Sequence, residues 1–202
     1  MTIAYPVKGG LYVNLTNRCP CACKFCIRNN ASGAYGSDPL WLEHEPTVDE
    51  TMDAIKAADP ASYSELVFCG YGEPTERLDA LLEVAAKIRA DFPTLPIRVN
   101  TNGLSDLISG EPTAQRFAGL VDEISISLNT ATAEEYVALC RPKFGLSSYA
   151  AILEFARAVK AFVPKVVMTV VATADFTDEQ RRACEAICES IGVPLRVRNY
   201  VG

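Results

Sequence analysis

Short β-like runs alternate with helical runs along the whole chain, and this alternation limits the available folds more than any other feature. Residues 11–16, 65–70, 97–101, 123–129, 165–172 and 194–200 carry period-two or short continuous apolar patterns. Between them, residues 47–58, 76–91, 113–120, 133–140, 149–162 and 178–191 repeat apolar positions at helical spacing. Strands separated by helices make βαβ units and a parallel sheet. The pattern predicts an α/β fold, either a doubly wound open sheet or a partial barrel. No Ser/Gly linker or shift of composition divides the 202 residues, so one domain is expected over residues 1–202.

Charge and cysteine usage narrow the function. Nineteen basic and 25 acidic residues leave a formal charge of −6, which argues against broad nucleic-acid or anionic-membrane binding. No apolar run approaches the ~18 residues of a membrane span. The N-terminal Met-Thr-Ile-Ala-Tyr-Pro-Val-Lys has no apolar signal core, so a cytoplasmic protein without a membrane partner is expected. There, eight cysteines read as metal ligands or buried thiols rather than as a disulfide framework.

Four of the eight crowd into Cys19-Pro-Cys21-Ala-Cys23-Lys-Phe-Cys26. A Cys₄ zinc site pairs two Cys-x₂-Cys knuckles, but Cys19-Pro-Cys21 is one residue too tight. The other triplet, Cys19-x₃-Cys23-x₂-Cys26, offers three thiolates from an irregular loop directly after the first strand. Three thiolates on a four-iron cluster leave one iron open to a reactive ligand. Cys21, one residue from both neighbours, is expected to be a bystander. Cys69, Cys140, Cys184 and Cys188 read as core thiols. Residues 29–45, the longest irregular stretch, hold the single Trp and the single His, and a loop of that length is often functional.

The triplet, with Phe25 before its last cysteine, resembles the radical S-adenosylmethionine (radical SAM) superfamily. The segments NLTNRC, FCIRNN, WLEHEPT, FCGYGEPT, VNTNGL, SISLN, LCRPKFG and RVRNYV extend the likeness over nearly the whole chain. They are similar to the small TatD-nuclease-associated radical SAM proteins. This resemblance implies a partial (β/α)₆ TIM-like barrel, a single radical SAM core domain without an auxiliary-cluster domain. It also implies that Cys19, Cys23 and Cys26 hold a [4Fe–4S] cluster. S-adenosyl-L-methionine bound there would be cleaved reductively to a 5′-deoxyadenosyl radical that abstracts hydrogen from a small-molecule or peptide substrate the sequence does not identify. A flavodoxin or ferredoxin would supply the electron, and a TatD-type nuclease is an expected partner. Within the class, a glycyl-radical activase and a 7-carboxy-7-deazaguanine-synthase-like enzyme are the alternatives. Outside it stands an iron–sulfur redox module serving the nuclease.

The same resemblance assigns residues around the cofactor. Phe25 would lie near the adenine. Gly70, Tyr71, Gly72 and Glu73 correspond to the segment that receives the methionine ammonium, with Glu73 as its charged partner and Tyr71 replacing the usual first glycine. Asn100, Asn102, Ser127 and Asn129, at the ends of the third and fourth runs, would meet the ribose and carboxylate. Relatives often carry a basic residue on the fifth strand. This chain has Met168-Thr169-Val170 there, and Arg141 is the substitute expected.

Strand alternation adds an expectation about the substrate. In a barrel the apolar set of each strand packs on the helices and the polar set faces the lumen. That face would carry Arg98, Arg196 and Arg198. Either Glu65, Glu73 or the cofactor carboxylate neutralises all three, or at least one grips a carboxylate or phosphate of the substrate.

Overall fold

Six parallel strands stand side by side in the order in which the chain makes them. In the computed structural model, which describes residues 1–29, 36–173 and 175–200, they are β2 (Gly10–Val13), β3 (Leu66–Phe68), β4 (Ile97–Thr101), β5 (Glu123–Ser127), β6 (Lys165–Ala172) and β7 (Leu195–Asn199). A further strand, β1 (Ala4–Val7), pairs antiparallel with β2. The sheet order is β1 to β7 without a reversal. A doubly wound sheet would need the strand order to reverse. Here each parallel connection carries at least one helix, and the result is the partial (β/α)₆ barrel.

The helices are α1 (Val48–Ala57), α2 (Leu78–Asp91), α3 (Ser105–Ser109), α4 (Ala133–Cys140), α5 (Ser147–Val159) and α6 (Asp178–Ile191). Their starts follow capping chemistry. Thr47 with Glu50, and Thr177 with Gln180, form complete capping boxes, and the Thr132 side chain caps α4. No helix among the described residues is long and apolar enough to cross a membrane.

Two local expectations are corrected. The first run is preceded by β1, joined to β2 through Lys8 and Gly9, both at positive φ, a two-residue turn whose twist suits a hairpin. The helix expected over 113–120 is a 3-10 turn, Ala114–Phe117, ended by Gly119 at φ 72°. The helical turn of that connection is instead α3, after which the Asp106 carboxylate accepts from both the backbone and the hydroxyl of Thr113.

One face of each parallel strand feeds the main core, while Tyr5 and Val7 of β1 pack with Leu40 and Tyr71 in a smaller one. Leu11 and Val13, Leu66 and Phe68, Ile97 and Val99, Ile124 and Ile126, and Val166, Met168 and Val170 meet Ile55, Leu81, Ile88, Ile152 and Phe155 from the helices. The alternate residues face the lumen. There Arg98 pairs with Val67 and Glu123, Thr169 with Ser127 and Arg196, and Val171 with Arg198. The lumen is polar as expected, with Val67, Val167 and Val171 as apolar interruptions.

Cys184 and Cys188 lie on the inner face of α6 and belong to the core. Burial pushes their thiols up, to about 11 and about 12. Both should therefore resist iodoacetamide in the native protein near neutral pH and become alkylated in urea, as read by peptide mass spectrometry. Rapid native labelling of either would contradict the packing of α6.

Candidate functional site

The cysteine loop follows β2 and is strapped to the end of α4. Arg141, at φ 48°, closes that helix with a left-handed cap, and the chain then turns to run beside the loop. The amides of Ala22, Lys24 and Lys143 donate to the carbonyls of Cys140, Leu139 and Pro20 at 2.8–3.0 Å, and Cys21 bridges Pro142. Arg28 holds the Cys21 carbonyl at 2.9 Å. The loop is irregular because Pro20 and these cross-bonds replace helical ones, yet its backbone is held along most of its length.

Its thiols have distinct surroundings. Cys21 is only 4% exposed and belongs to the core, with the Tyr136 hydroxyl at 3.9 Å and the Asn102 amide at 3.8 Å. A bond with Cys19 favours its thiolate, but a bond with Cys23 and burial prevail and push it up to about 12. Cys19 is raised by its bond to Cys21 and by burial, and Cys23 chiefly by a bond to Cys140. Cys140, sequence-distant and overlooked as a neighbour, also accepts the Asn129 amide at 3.4 Å. Among the described residues no three His, Cys, Asp or Glu side chains converge into a metal-holding group.

The loop after β3 is pinned by close approach and by one buried carboxylate. A Cβ on Gly70 would lie 2.1 Å from Asn14 Oδ1, and one on Gly72 would lie 2.2 Å from the Thr16 carbonyl oxygen. No other residue fits at either position without displacing the β2 side of the mouth. Glu73, 4% exposed, accepts at Oε1 from the Thr75 amide (3.2 Å), the Thr75 hydroxyl (2.8 Å) and the Thr101 hydroxyl (2.7 Å). Its Oε2 accepts from the Asn102 amide at 2.7 Å. Burial pushes this carboxyl up despite these four donors. The structure thus sets Glu73 against the end of β4, where it braces the loop. Tyr71 is buried and meets the Trp41 ring edge-on at 5.1 Å. Residues 30–35 of the long loop lie outside the described residues. Its later part is tied down by Asn14 to the Leu40 carbonyl (2.6 Å) and Asn17 to the Leu42 carbonyl (2.8 Å).

At the C-terminal ends of the strands a cavity of about 240 Å³ opens, where α/β sheets of this kind place their sites. Cys23, Phe25, Cys26, Gly70, Ser127 and Arg198 line it, joined by Tyr5, Tyr12, Leu40 and Cys69. A second cavity of about 270 Å³, bordered by Lys24, Asn129 and Phe176, shares the Val171 wall. Several expected residues lie outside the first lining. Asn100 accepts from Arg98, Asn102 accepts the Leu104 amide, and Arg141 is exposed beside the cysteine loop. Tyr5 was hidden by the unanticipated β1, whereas the inward alternation of Tyr12 was there to be read.

The arginines divide. Arg98 is held by Glu65 at 2.6 and 2.9 Å, with Asn100 and the Tyr12 hydroxyl completing its partners. Arg196 pairs with Glu123 at 3.1 Å. Arg198 has a buried Nε with no partner. Asn129 Oδ1 and Thr169 Oγ1 are orphaned in the same way, and buried polar atoms of that kind call for a ligand or water. A soft thiol donor set on an irregular loop, two of its members lining a cavity that also holds the unsatisfied Arg198 Nε, suits an iron–sulfur cluster with a polar organic ligand.

The Radical SAM superfamily model matches residues 13–187. A GTP 3′,8-cyclase from Corynebacterium glutamicum is 33% identical over 141 residues, which cover 65% of this chain and 33% of that protein. The chain thus matches about a third of the length of that curated relative. Among solved structures, the hydrogenase maturase HydG from Carboxydothermus hydrogenoformans superposes with a TM-score of 0.67 at 16% identity, over 95% of this chain and 44% of that one. Methylornithine synthase superposes with a TM-score of 0.63 at 15% identity, over 95% and 53%. At such identities the likeness speaks for the fold.

Replacing Glu73 by Gln leaves one carboxamide oxygen for two fixed backbone donors, Thr75 and Asn102. Loss of a hydrogen bond to a charged group costs roughly 1.5–3 kcal/mol. Urea unfolding of Glu73→Gln should show a lower midpoint with a destabilisation in that range; an unchanged midpoint would contradict the bracing role.

Proposed function

The chain belongs to the radical SAM superfamily, and on that premise we propose that it is a radical S-adenosylmethionine enzyme acting on a small substrate at the strand ends. The observation that carries this reading is the meeting of Cys23, Phe25 and Cys26 with Gly70 and Ser127 around one cavity. Cys19, Cys23 and Cys26 would hold a [4Fe–4S] cluster, with S-adenosyl-L-methionine lying toward Phe25, Gly70 and Ser127. When bound, the cluster supplies the electron that cleaves the sulfonium to give a 5′-deoxyadenosyl radical for hydrogen abstraction.

The chain's own residues orient and shield. The strap between the cysteine loop and α4 fixes the loop backbone, so positioning is supplied in advance of binding. Phe25, Tyr5, Tyr12, Ile27 and Leu40 give the cavity apolar walls, which limits the water available to quench a radical. Glu73 keeps the 70–73 loop against the end of β4. Cys21, sunk in the core, stays out of the ligand set.

The activity of the cyclase relative is not carried over, because the matched region is only 33% of that protein. A glycyl-radical activase or a 7-carboxy-7-deazaguanine-synthase-like enzyme falls within the same chemistry. An iron–sulfur module partnering a TatD-type nuclease falls outside it, and one assay separates the classes. Anaerobically reconstituted protein, given S-adenosylmethionine and dithionite, should form 5′-deoxyadenosine and methionine. An intact cluster that cleaves nothing with dithionite or reduced flavodoxin would favour the module. Cys19→Ala, Cys23→Ala and Cys26→Ala should each lose most of the iron and the cluster's visible absorbance, while Cys21→Ala retains both. Full iron content in Cys23→Ala would overturn the ligand assignment.

A further inference from the structure

Three arginines point from the strands into a half-open barrel, and the protein neutralises only two of them. Glu65 is spent on Arg98, and Glu123 is shared by Arg196 and Lys165. Glu73, the remaining carboxylate at the lumen's upper end, is occupied by Thr75, Thr101 and Asn102. Arg198 forms no ion pair or hydrogen bond with any described residue, and its Nε is buried without a partner. A partly buried, unpaired guanidinium is costly. It is therefore informative that this group lines the cavity with Phe25, Tyr5, Tyr12 and Ser127. Its charge also bears on the Cys69 thiol in the same wall.

We propose that Arg198 is the anion receptor of this cavity and takes the carboxylate or phosphate of a small substrate whose apolar body rests on the aromatic walls. The planar fork of a guanidinium binds both anions in bidentate fashion. The tyrosine, phenylalanine and leucine side chains around it favour an anion carried on an apolar or aromatic skeleton. This rests on the reading of the cavity as the place where substrate meets cofactor. The carboxylate of S-adenosylmethionine is the other source of the same chemistry, and the test separates the two.

Cluster-loaded protein is treated anaerobically with phenylglyoxal, and modification of each arginine is followed by peptide mass spectrometry. Arg198 should react roughly tenfold or more faster than Arg98 and Arg196, whose guanidinium groups are tied up by carboxylates. Inorganic phosphate and benzoate should each slow its modification, including when S-adenosylmethionine is saturating. Arg198→Gln should bind S-adenosylmethionine within about twofold of the wild type, well short of the roughly tenfold or greater loss expected for removing a charge-assisted contact. If neither anion slows the reaction, Arg198 is not an anion receptor. If S-adenosylmethionine alone gives full protection and Arg198→Gln loses cofactor affinity by that larger factor, the anion is the cofactor's own and the substrate assignment fails. The wild-type labelling decides the matter even if the Gln variant folds poorly, and Arg198→Lys provides a charge-retaining control. Protection by phosphate or benzoate in a protein that forms no 5′-deoxyadenosine would sink the enzyme reading while leaving the anion site standing.

Discussion

A sheet sealed by helices on one face must send every second side chain of each strand to the other, and in this chain that other face is charged. Leu11, Ile97, Ile124 and Val166 are committed to the helices, which leaves Tyr12, Arg98, Glu123 and Arg196 no alternative but the lumen. A slip of one residue in register would bury charges against Ile55 and Phe155 and expose the apolar set. The charge pairs Arg98–Glu65 and Arg196–Glu123 are what make the required register tolerable at the lower end of the lumen. They occupy space that layers of Val, Ile and Leu fill in a closed barrel. Towards the strand ends the Glu73 carboxylate is taken up by Thr75, Thr101 and Asn102, and the cavity begins.

The mouth of the barrel is rigid for a different reason. Two loops that have no secondary structure of their own are each borrowed into a neighbour's hydrogen-bonding scheme. The cysteine loop pairs with the chain leaving α4, and the 70–73 loop hangs from β4 through the Glu73 carboxylate. The close approach of Gly70 to Asn14, and of Gly72 to Thr16, then couples the two loops across β2. A displacement of either loop is thereby felt by the other.

The sequence made the parallel alternation and the cysteine triplet legible, because both are written in local spacing. β1 escaped notice because it is four residues long, contains Pro6 and turns on Lys8-Gly9, where neither length nor composition announces a strand. The turn of helix at Ser105–Ser109 is too short to show periodicity. At the site, Phe25, Gly70 and Ser127 could be read from motifs, since each sits within a recognisable segment. The bracing role of Glu73 could not be, because its partners Thr101 and Asn102 come from another strand end. Cys140 appeared scattered for the same reason, although it lies against Cys23 and Asn129. The alternation indicated that Arg198 faces inward. That its charge is unmatched depends on where three distant carboxylates spend theirs.

The incompleteness of the barrel is itself part of the site. β1 and β7 are the two edges of the described sheet, and both contribute to the cavity, β1 through Tyr5 and β7 through Arg198 and Asn199. Exposed edges invite pairing with another chain. Here Pro6 removes a donor from one edge, and Arg196 and Arg198 place charge on the other. The gap between the edges can therefore stay open without becoming an aggregation surface. Closing it with two further strands would supply backbone partners for both edges but would wall off the side on which Arg198 stands. An open barrel, two matched arginines below and one unmatched arginine at the gap are consequences of a single arrangement: a charged lumen that the chain neutralises from the bottom up and leaves unmatched at the cavity.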